Sequence, residues 1–333
     1  MSVLADIPFS LLELATVPQG MDVPQALASV TEHARKADEL GFKRLWLAEH
    51  HNMAGIASSA TSVLIGHLAA ATSNIRIGSG GIMLPNHPPL VVAEQFGTLQ
   101  ALYGDRIDLG LGRAPGTDPV TSRALRRDDM RAERFPEEVA ELERLLGKQI
   151  STGKRVQAYP GAGSGVPIWL LGSSLFSAQL AAMRGLPYAF AAHFAPRYLR
   201  DAIAIYKRDF QPSEHLSEPY VMACIPLIAG ATDAEAFYLA TSSQQRVMAL
   251  MSGKPLFMPP PVENMDELWD IPTQAQVQSF LAMQVTGGPA SLKSKLEALV
   301  KDLDVNELMF TNDIYDRHKR LDALEIVMQA KQA

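Results

Sequence analysis

Short apolar segments alternate with helical patterns along the whole chain. Eight of these segments are apolar nearly throughout, which is typical of strands buried on both faces of a parallel sheet. They span residues 9–17, 44–48, 75–77, 107–111, 167–171, 186–192, 220–228 and 307–311. Apolar residues at helical spacing follow them. The predicted helices span residues 21–41, 59–71, 88–102, 136–146, a segment ending at 185, 196–210, 232–250, 273–284, 290–303 and 318–331.

Eight strand–helix units in a chain of 333 residues predict a (β/α)8 TIM barrel with insertions. The alternative is a doubly wound open sheet, because both folds alternate strands with helices. No change in composition marks a domain boundary, so we expect residues 1–333 to form a single barrel domain. Proline is dense at about residues 251–273, which predicts an irregular insertion in that domain and not a linker.

Composition narrows the functions that are open to this chain. The net charge of −6 argues against a surface for nucleic acid or anionic membranes. The single cysteine, Cys224, excludes an intrachain disulfide and lies in an apolar run, so we expect a buried structural thiol. No signal peptide is evident, and no apolar run approaches the roughly 20 residues of a membrane helix. We therefore expect a cytoplasmic protein.

Two predicted strand ends carry residues suited to an anion. In a TIM barrel, the carboxyl ends of the strands build the active site. Gly172, Ser173 and Ser174 lie between a strand and a helix, where N–H groups and hydroxyls can bind a phosphate. Serine is also favoured there as a plain helix cap, so this motif alone leaves both interpretations open. Arg113 follows another strand and favours a phosphate site spanning both ends.

Histidines follow two other predicted strands. Glu49, His50 and His51 come directly after the second strand, and a histidine that titrates near neutral pH is a candidate general acid or base. A solvated histidine pair is the structural alternative. Adjacent residues of an extended chain point to opposite sides, so His50 and His51 are poorly placed to share a metal, and we expect no metal site. His193 follows another strand and fits a structural or a functional role equally well.

Five motifs together resemble the bacterial luciferase-like family of flavin-dependent monooxygenases, and most closely its single-chain, YhbW-like branch. The resemblance covers essentially the whole chain. Its segments are LWLAEHH (residues 45–51), GSGGIMLP (78–85), AEQ (93–95), RIDLGLGR (106–113), and LGSS continuing to GLP (171–187).

The resemblance implies a luciferase-like (β/α)8 barrel that binds FMN or, in one branch of the family, the deazaflavin F420. It implies that Gly80 and Gly81 form a non-prolyl cis peptide beside the isoalloxazine ring, where glycine has no Cβ to strike the flavin. Arg113 and the loop at residues 172–174 match the positions that bind the cofactor phosphate. His50 matches a histidine near the reacting face of the flavin.

The implied function is an FMN-dependent, non-luminescent monooxygenase. A separate flavin reductase would supply reduced FMN, which would react with O2 to a flavin C4a-hydroperoxide that oxygenates a small organic substrate. The alternatives are an F420-dependent hydride-transfer oxidoreductase of the same family and a flavin-binding protein without turnover. The family forms dimers through helices early in the barrel, so we expect a homodimer. It also places a mobile segment over the active site, where residues 251–273 lie.

Two positions depart from the luciferase pattern. Gly112 stands where the light-emitting subunit carries a reactive cysteine. Phe176 replaces a hydroxyl that faces the phosphate, and Ser177 is a candidate replacement for that contact. Nothing in the sequence therefore supports light emission.

Overall fold

The computed structural model describes residues 3–125, 132–147 and 156–333, and strands alternate with helices throughout them. The strands are β1 (Phe9–Glu13), β2 (Arg44–Leu47), β3 (Arg76–Met83), β4 (Ile107–Gly112), β5 (Ile168–Gly172), β6 (Tyr188–Ala191), β7 (Val221–Ala229), β8 (Val285–Gly287) and β9 (Glu307–Thr311). The helices are α1 (Val23–Glu39), α2 (Thr61–Ala71), α3 (Pro89–Tyr103), α4 (Pro119–Ala124), α5 (Phe135–Leu146), α6 (Leu175–Arg184), α7 (Leu199–Asp209), α8 (Asp233–Met251), α9 (Ile271–Phe280), α10 (Pro289–Leu303) and α11 (Arg317–Gln332).

Eight of the described strands close into a parallel barrel. Their order around the cylinder is β1, β2, β3, β4, β5, β6, β7 and β9. Pairing of β6 with β7 and of β9 with β1 closes the sheet, so this cylinder has no edge strand. The predicted TIM barrel is confirmed, and the open doubly wound sheet is excluded.

The remaining described strand, β8, lies outside the cylinder. β7 is nine residues long, and its last three residues, Leu227, Ile228 and Ala229, pair with β8 beyond the barrel. Sequence patterns miss β8 because three residues are too few to show a period. The short helix α4 is a second difference, since the sequence predicts only a polar loop there.

β3 is irregular at the step between Gly80 and Gly81. The peptide bond that joins them is cis, and the register of β3 against β4 shifts between Ser79 and Ile82. At this step Ser79 Oγ donates a hydrogen bond to the Gly110 carbonyl (2.9 Å) and accepts one from the Gly110 N–H (3.0 Å). β3 therefore continues past the predicted end at residue 77, and the glycine pair lies inside the strand.

The barrel interior is apolar in its middle and ionic at its amino-terminal end. Trp46 and Trp169 pack edge to face with ring centroids 5.1 Å apart. Beside them, Arg44 Nη1 lies 2.6 Å from Asp108 Oδ2, and Arg44 Nε lies 2.7 Å from Glu307 Oε1. All three charged side chains are buried, so each depends on its partners to offset the loss of water.

Two expectations from composition concern the interior and the surface of the fold. Cys224 is buried on β7, as predicted for a structural thiol, and burial raises the pKa of that thiol. Within the described ranges, no helix is both long enough and apolar enough to cross a bilayer.

Candidate active site

A cavity of about 660 Å³ lies at the carboxyl ends of the barrel strands. Its volume falls within the range of small-molecule sites, and its walls are mostly apolar with a few polar groups. All of the residues predicted for catalysis or cofactor binding line it; they are His50, Gly80, Gly81, Arg113, Gly172, Ser173 and Ser174. The structure thus brings together residues from β3 and from the ends of β2, β4 and β5.

Arg113 provides a positive charge at one end of the cavity. Its guanidinium carbon lies 4.0 Å from the centroid of the Phe176 ring, a cation–π contact that orients the side chain. Among the residues that the structure describes, Arg113 has no ion-pair partner. Phe176 therefore holds the cation in place, although it supplies no hydroxyl of its own.

The amino terminus of α6 lies beside this charge. Ser174 is the N-cap residue, but its side chain makes no capping hydrogen bond. A plain cap would bond its hydroxyl to its own helix, so this geometry favours the phosphate interpretation. An added Cβ at Gly172 would lie 2.5 Å from Ser177 Oγ, so the turn into the helix requires glycine there. Ser177 also lines the cavity.

The cis peptide implied by the resemblance is present in the cavity wall. Packing inside the barrel gives a further reason for glycine at this step. An added Cβ at Gly80 would lie 2.7 Å from Leu12 Cδ1, and one at Gly81 would lie 2.5 Å from Leu171 Cδ1 and 2.8 Å from the Gly110 carbonyl oxygen. Close packing inside the barrel therefore demands glycine before any ligand is considered.

His50 contributes a partly buried, neutral imidazole to the cavity. Burial, with a smaller contribution from the charge of Arg246, lowers the pKa of His50 to about 4. The expectation of titration near neutral pH is therefore wrong, because the cavity disfavours the charged ring. Within the described part of the chain, Nδ1 of His50 is buried and has no hydrogen-bond partner. The ring can therefore exchange a hydrogen bond with a bound molecule.

The carboxylate of Glu49, one residue before His50, anchors the loops on this side. Glu49 Oε1 lies 2.9 Å from Nε2 of both His51 and His87, and Oε2 accepts a hydrogen bond from the Met83 N–H at 3.0 Å. Burial opposes ionisation of Glu49, but the hydrogen bonds from the two histidines outweigh it and lower the pKa to about 2. Because this bond holds the His51 ring against Glu49, His51 does not share the acid–base role expected for His50.

These three side chains also form a group that the sequence does not predict. The ligand atoms of Glu49, His51 and His87 lie within 4.8 Å of one another, and such a group could hold a metal ion. The sequence argument compares only His50 with His51, and it misses His87 because that residue comes from the loop after β3. Both Nε2 atoms contact the Glu49 carboxylate directly, which gives the group a structural explanation.

His193 lies in the cavity at the end of β6. Its backbone N–H donates a hydrogen bond to the Cys224 carbonyl at 2.9 Å, which fixes the loop against β7. Burial lowers the pKa of His193 to about 4, although Asp313 and the backbone of Cys224 favour the charged ring. Nδ1 of His193 is likewise buried without a hydrogen-bond partner among the described residues.

Sequence reasoning misses the charged pair on the far wall. Arg246 Nη1 lies 2.9 Å from Asp313 Oδ2, and Arg246 Nε donates to the Leu256 carbonyl at 3.3 Å. Asp313 follows the last barrel strand by two residues, and that position at a strand end could have identified it. Arg246 carries no such signal, because it is one of several polar residues along α8.

The proline-rich insertion reaches the cavity through Leu256 and contacts the loops after β1 and β2. The Leu256 N–H donates to the Ala54 carbonyl at 2.8 Å, and the Met258 N–H donates to the Val17 carbonyl at 3.0 Å. An added Cβ at Gly55 would lie 2.3 Å from the Phe257 nitrogen, so the backbones are in close contact. The start of this segment therefore borders the cavity, and its role as a mobile cover stays a prediction.

Comparison with known sequences identifies the family. The family model described as luciferase-like monooxygenase matches residues 7–302. A luciferase-like monooxygenase of Escherichia coli (strain K12) is 48% identical over 327 residues, which cover 98% of this chain and 97% of the relative. The N-acetyl-S-alkylcysteine monooxygenase of Bacillus subtilis (strain 168) is 39% identical over 189 residues, which cover 56% of this chain and 57% of that enzyme.

Comparison with solved structures agrees. The crystal structure of apo-MsnO8 has a TM-score of 0.86 at 31% identity and covers 99% of this chain and 98% of its own. Two structures at 17% identity share the fold. One is the oxygenating constituent of 3,6-diketocamphane monooxygenase of Pseudomonas putida in complex with FMN (TM-score 0.72, 97% and 96% covered). The other is an F420-dependent secondary alcohol dehydrogenase (TM-score 0.70, 98% and 99% covered). This chain therefore belongs to the luciferase-like monooxygenase family.

Proposed function

We propose that this protein is an FMN-dependent, non-luminescent monooxygenase that uses O2 to oxygenate a small organic substrate. One observation carries the proposal: at one end of a mostly apolar cavity, an arginine that has no ion-pair partner among the described residues lies beside a helix terminus without a side-chain cap, an arrangement suited to an anion. A flavin mononucleotide has the matching chemistry, since it joins a phosphate to a large planar ring.

The residues of the cavity would have different roles in binding and in the reaction. Arg113 and the loop at residues 172–174 would bind the phosphate, and the step between Gly80 and Gly81 would lie against the ring. Reduced FMN supplies the chemistry that activates O2 when it is bound. His50, which is neutral at pH 7, would accept or donate a proton beside the ring. The apolar walls would exclude water from the reaction.

Partners and substrate follow from the same proposal. A separate flavin reductase would deliver reduced FMN, as the family resemblance implies. The partial similarity to an N-acetyl-S-alkylcysteine monooxygenase makes thioethers a rational first class of substrates to screen. The FMN-bound relative with the same fold supports FMN as the first cofactor to test.

The proposal is tested by mixing the protein with reduced FMN and then with oxygenated buffer in a stopped-flow spectrometer. We expect a transient absorbance that free reduced FMN does not give. We also expect Arg113→Gln to weaken FMN binding by about 10- to 100-fold, because a charge-assisted contact to phosphate contributes about 1.5–3 kcal/mol. Arg123→Gln, an exposed arginine on α4, serves as the matched control and should leave the affinity unchanged.

The alternatives predict different results. Oxidation of reduced FMN at the rate of the free flavin, combined with tight binding of F420, would assign the protein to F420-dependent hydride transfer. The F420-dependent secondary alcohol dehydrogenase with the same fold is the reason to test F420 as the alternative cofactor. Tight binding of FMN with no effect on its oxidation would leave a flavin-binding protein without turnover.

We also propose that the protein forms a homodimer through α2 and α3. Val63 on α2 and Leu102 on α3 expose 69% and 66% of their surface, and Val91 on α3 exposes 40%. Exposed apolar side chains on neighbouring helices are typical of an interface. Light scattering should give twice the monomer mass, and Leu102→Lys should reduce it; a monomeric wild-type protein would contradict the proposal.

A further inference from the structure

The cavity has two walls of different character. The residues suited to a flavin, Gly80, Arg113 and the loop at 172–174, come from the neighbouring strands β3, β4 and β5. The opposite wall comes from the ends of β6, β7 and β9 with parts of α8 and the segment after α9. Its polar side chains are His193, Ser243, Arg246, Gln284, Thr311 and Asp313. A flavin on the first wall leaves this second group free to meet another molecule.

His193 and His50 follow strands on opposite sides of the barrel. In the eight-stranded cylinder β6 lies four strands from β2 in either direction, so the two histidines stand on opposite sides of the cavity mouth. The bond from the His193 N–H to the Cys224 carbonyl holds the loop in place. In the described ranges, its buried Nδ1 has no partner, and a buried polar atom without a partner in a cavity indicates a ligand contact.

We propose that His193 contacts the substrate of the proposed monooxygenase, through a hydrogen bond on the wall opposite the flavin-side His50. This inference rests on the proposed function. The charges of Arg246 and Asp313 offset each other at 2.9 Å, so this wall has a polar surface without a net charge. Val247, Leu250 and Phe280 add apolar surface around it. The wall therefore suits a neutral polar group attached to an apolar chain.

The test is a chemical footprint with diethyl pyrocarbonate, which acylates neutral imidazole, read by peptide mass spectrometry with and without FMN. We expect FMN at saturating concentration to slow modification of His50 by about tenfold or more, since only the FMN-free fraction reacts. Modification of His193 should change by less than about twofold on the same reasoning. His33, which is buried against Glu13, and exposed His318 provide the unreactive and reactive references.

Two results would overturn the inference. Protection of His193 by FMN to the same extent as His50 would place it against the flavin. A lack of reaction equal to that of His33 in the FMN-free protein would make it a structural residue. As a second measurement, His193→Gln should keep the FMN dissociation constant within about twofold, because a residue outside the flavin site loses no contact to it. A tenfold increase would also contradict the inference.

Failure of the proposed function would look different. If FMN neither binds nor protects any histidine, the FMN assignment falls. The footprint repeated with F420 would then decide the role of His193 on the same criteria.

Discussion

Replacing His50 by glutamine should remove part of the acid sensitivity of the fold. Burial first, and then the charge of Arg246, lower the pKa of His50 from its ordinary 6.5 to about 4. Between these values the unfolded chain binds a proton that the folded chain does not, so the free energy of unfolding falls as the pH falls. Going from pH 7 to pH 5 should cost the wild-type protein about 2 kcal/mol through His50 alone.

Between pH 7 and pH 5 the loss of stability comes from the two histidines of the cavity and not from Glu49. Glu49 has a pKa of about 2, so it stays ionised at pH 5 in the folded protein. His193 has the same lowered pKa as His50 and should contribute a similar loss. The glutamine variant at position 50 lacks only the His50 part, so its own loss between pH 7 and pH 5 should be smaller by about 2 kcal/mol.

The assay is urea unfolding of the flavin-free protein at both pH values, followed by far-ultraviolet circular dichroism. The matched control is His318→Gln, an exposed histidine that should lose as much stability as the wild type. Equal losses in His50→Gln and the wild type would refute the reasoning. They would mean that the ring accepts a proton in the folded protein as readily as in the unfolded chain.

Three further predictions concern the frame of the barrel. Arg44→Met leaves the buried Glu307 without its cation and Asp108 with Arg76 alone, and it should lower the free energy of unfolding by about 3–5 kcal/mol, measured in urea; a change below 1 kcal/mol would contradict it. Gly97→Ala places a Cβ 2.1 Å from Gly161 Cα. It should cost about 1–3 kcal/mol in the same assay. Gly66→Ala, whose Cβ would meet only a side-chain atom of Leu99 at 3.3 Å, should cost far less, and equal losses would refute the packing argument. Cys224 should not react with a thiol-specific dye in the folded protein, and rapid labelling would show that it is accessible.

The barrel could be predicted because buried parallel strands leave a simple pattern. Each cylinder strand is a short apolar run, and the helix that follows it repeats apolar residues at helical spacing. Where one residue type breaks the pattern, the prediction fails. Gly78 and the glycine pair that follows Ser79 end the apolar run 75–77 in the sequence, although Ser79 bonds to Gly110 on β4 and β3 continues to Met83.

The site was predictable only where function coincides with a strand end. His50, Arg113 and the loop at residues 172–174 each follow a strand directly, so the barrel topology alone brings them to one cavity. His87 and Arg246 reach their partners through a loop and through the interior face of a long helix. Their contacts depend on tertiary packing, which no spacing along the chain encodes.

The lowered pKa of His50 could not be predicted from the sequence, for a different reason. A histidine after a strand is visible in the sequence, but its protonation depends on burial and on a charge from α8. Both are properties of the assembled cavity. The sequence therefore identifies the residue, and the fold determines whether its ring is charged.

The segment that runs from the end of α8 to β8 contains the proline-rich insertion and α9, and it is attached to the barrel at two separate places. Near its start, Leu256 and Met258 bond to the loops after β2 and β1; near its end, β8 pairs with β7. Between these attachments it supplies Phe280 and Leu281 to the cavity, while no strand of the cylinder depends on it. A segment attached in this way can differ in sequence and length between relatives, provided that both attachments are kept. One wall of the cavity could thus change within the family while the wall built by β3, β4 and β5 stays constant.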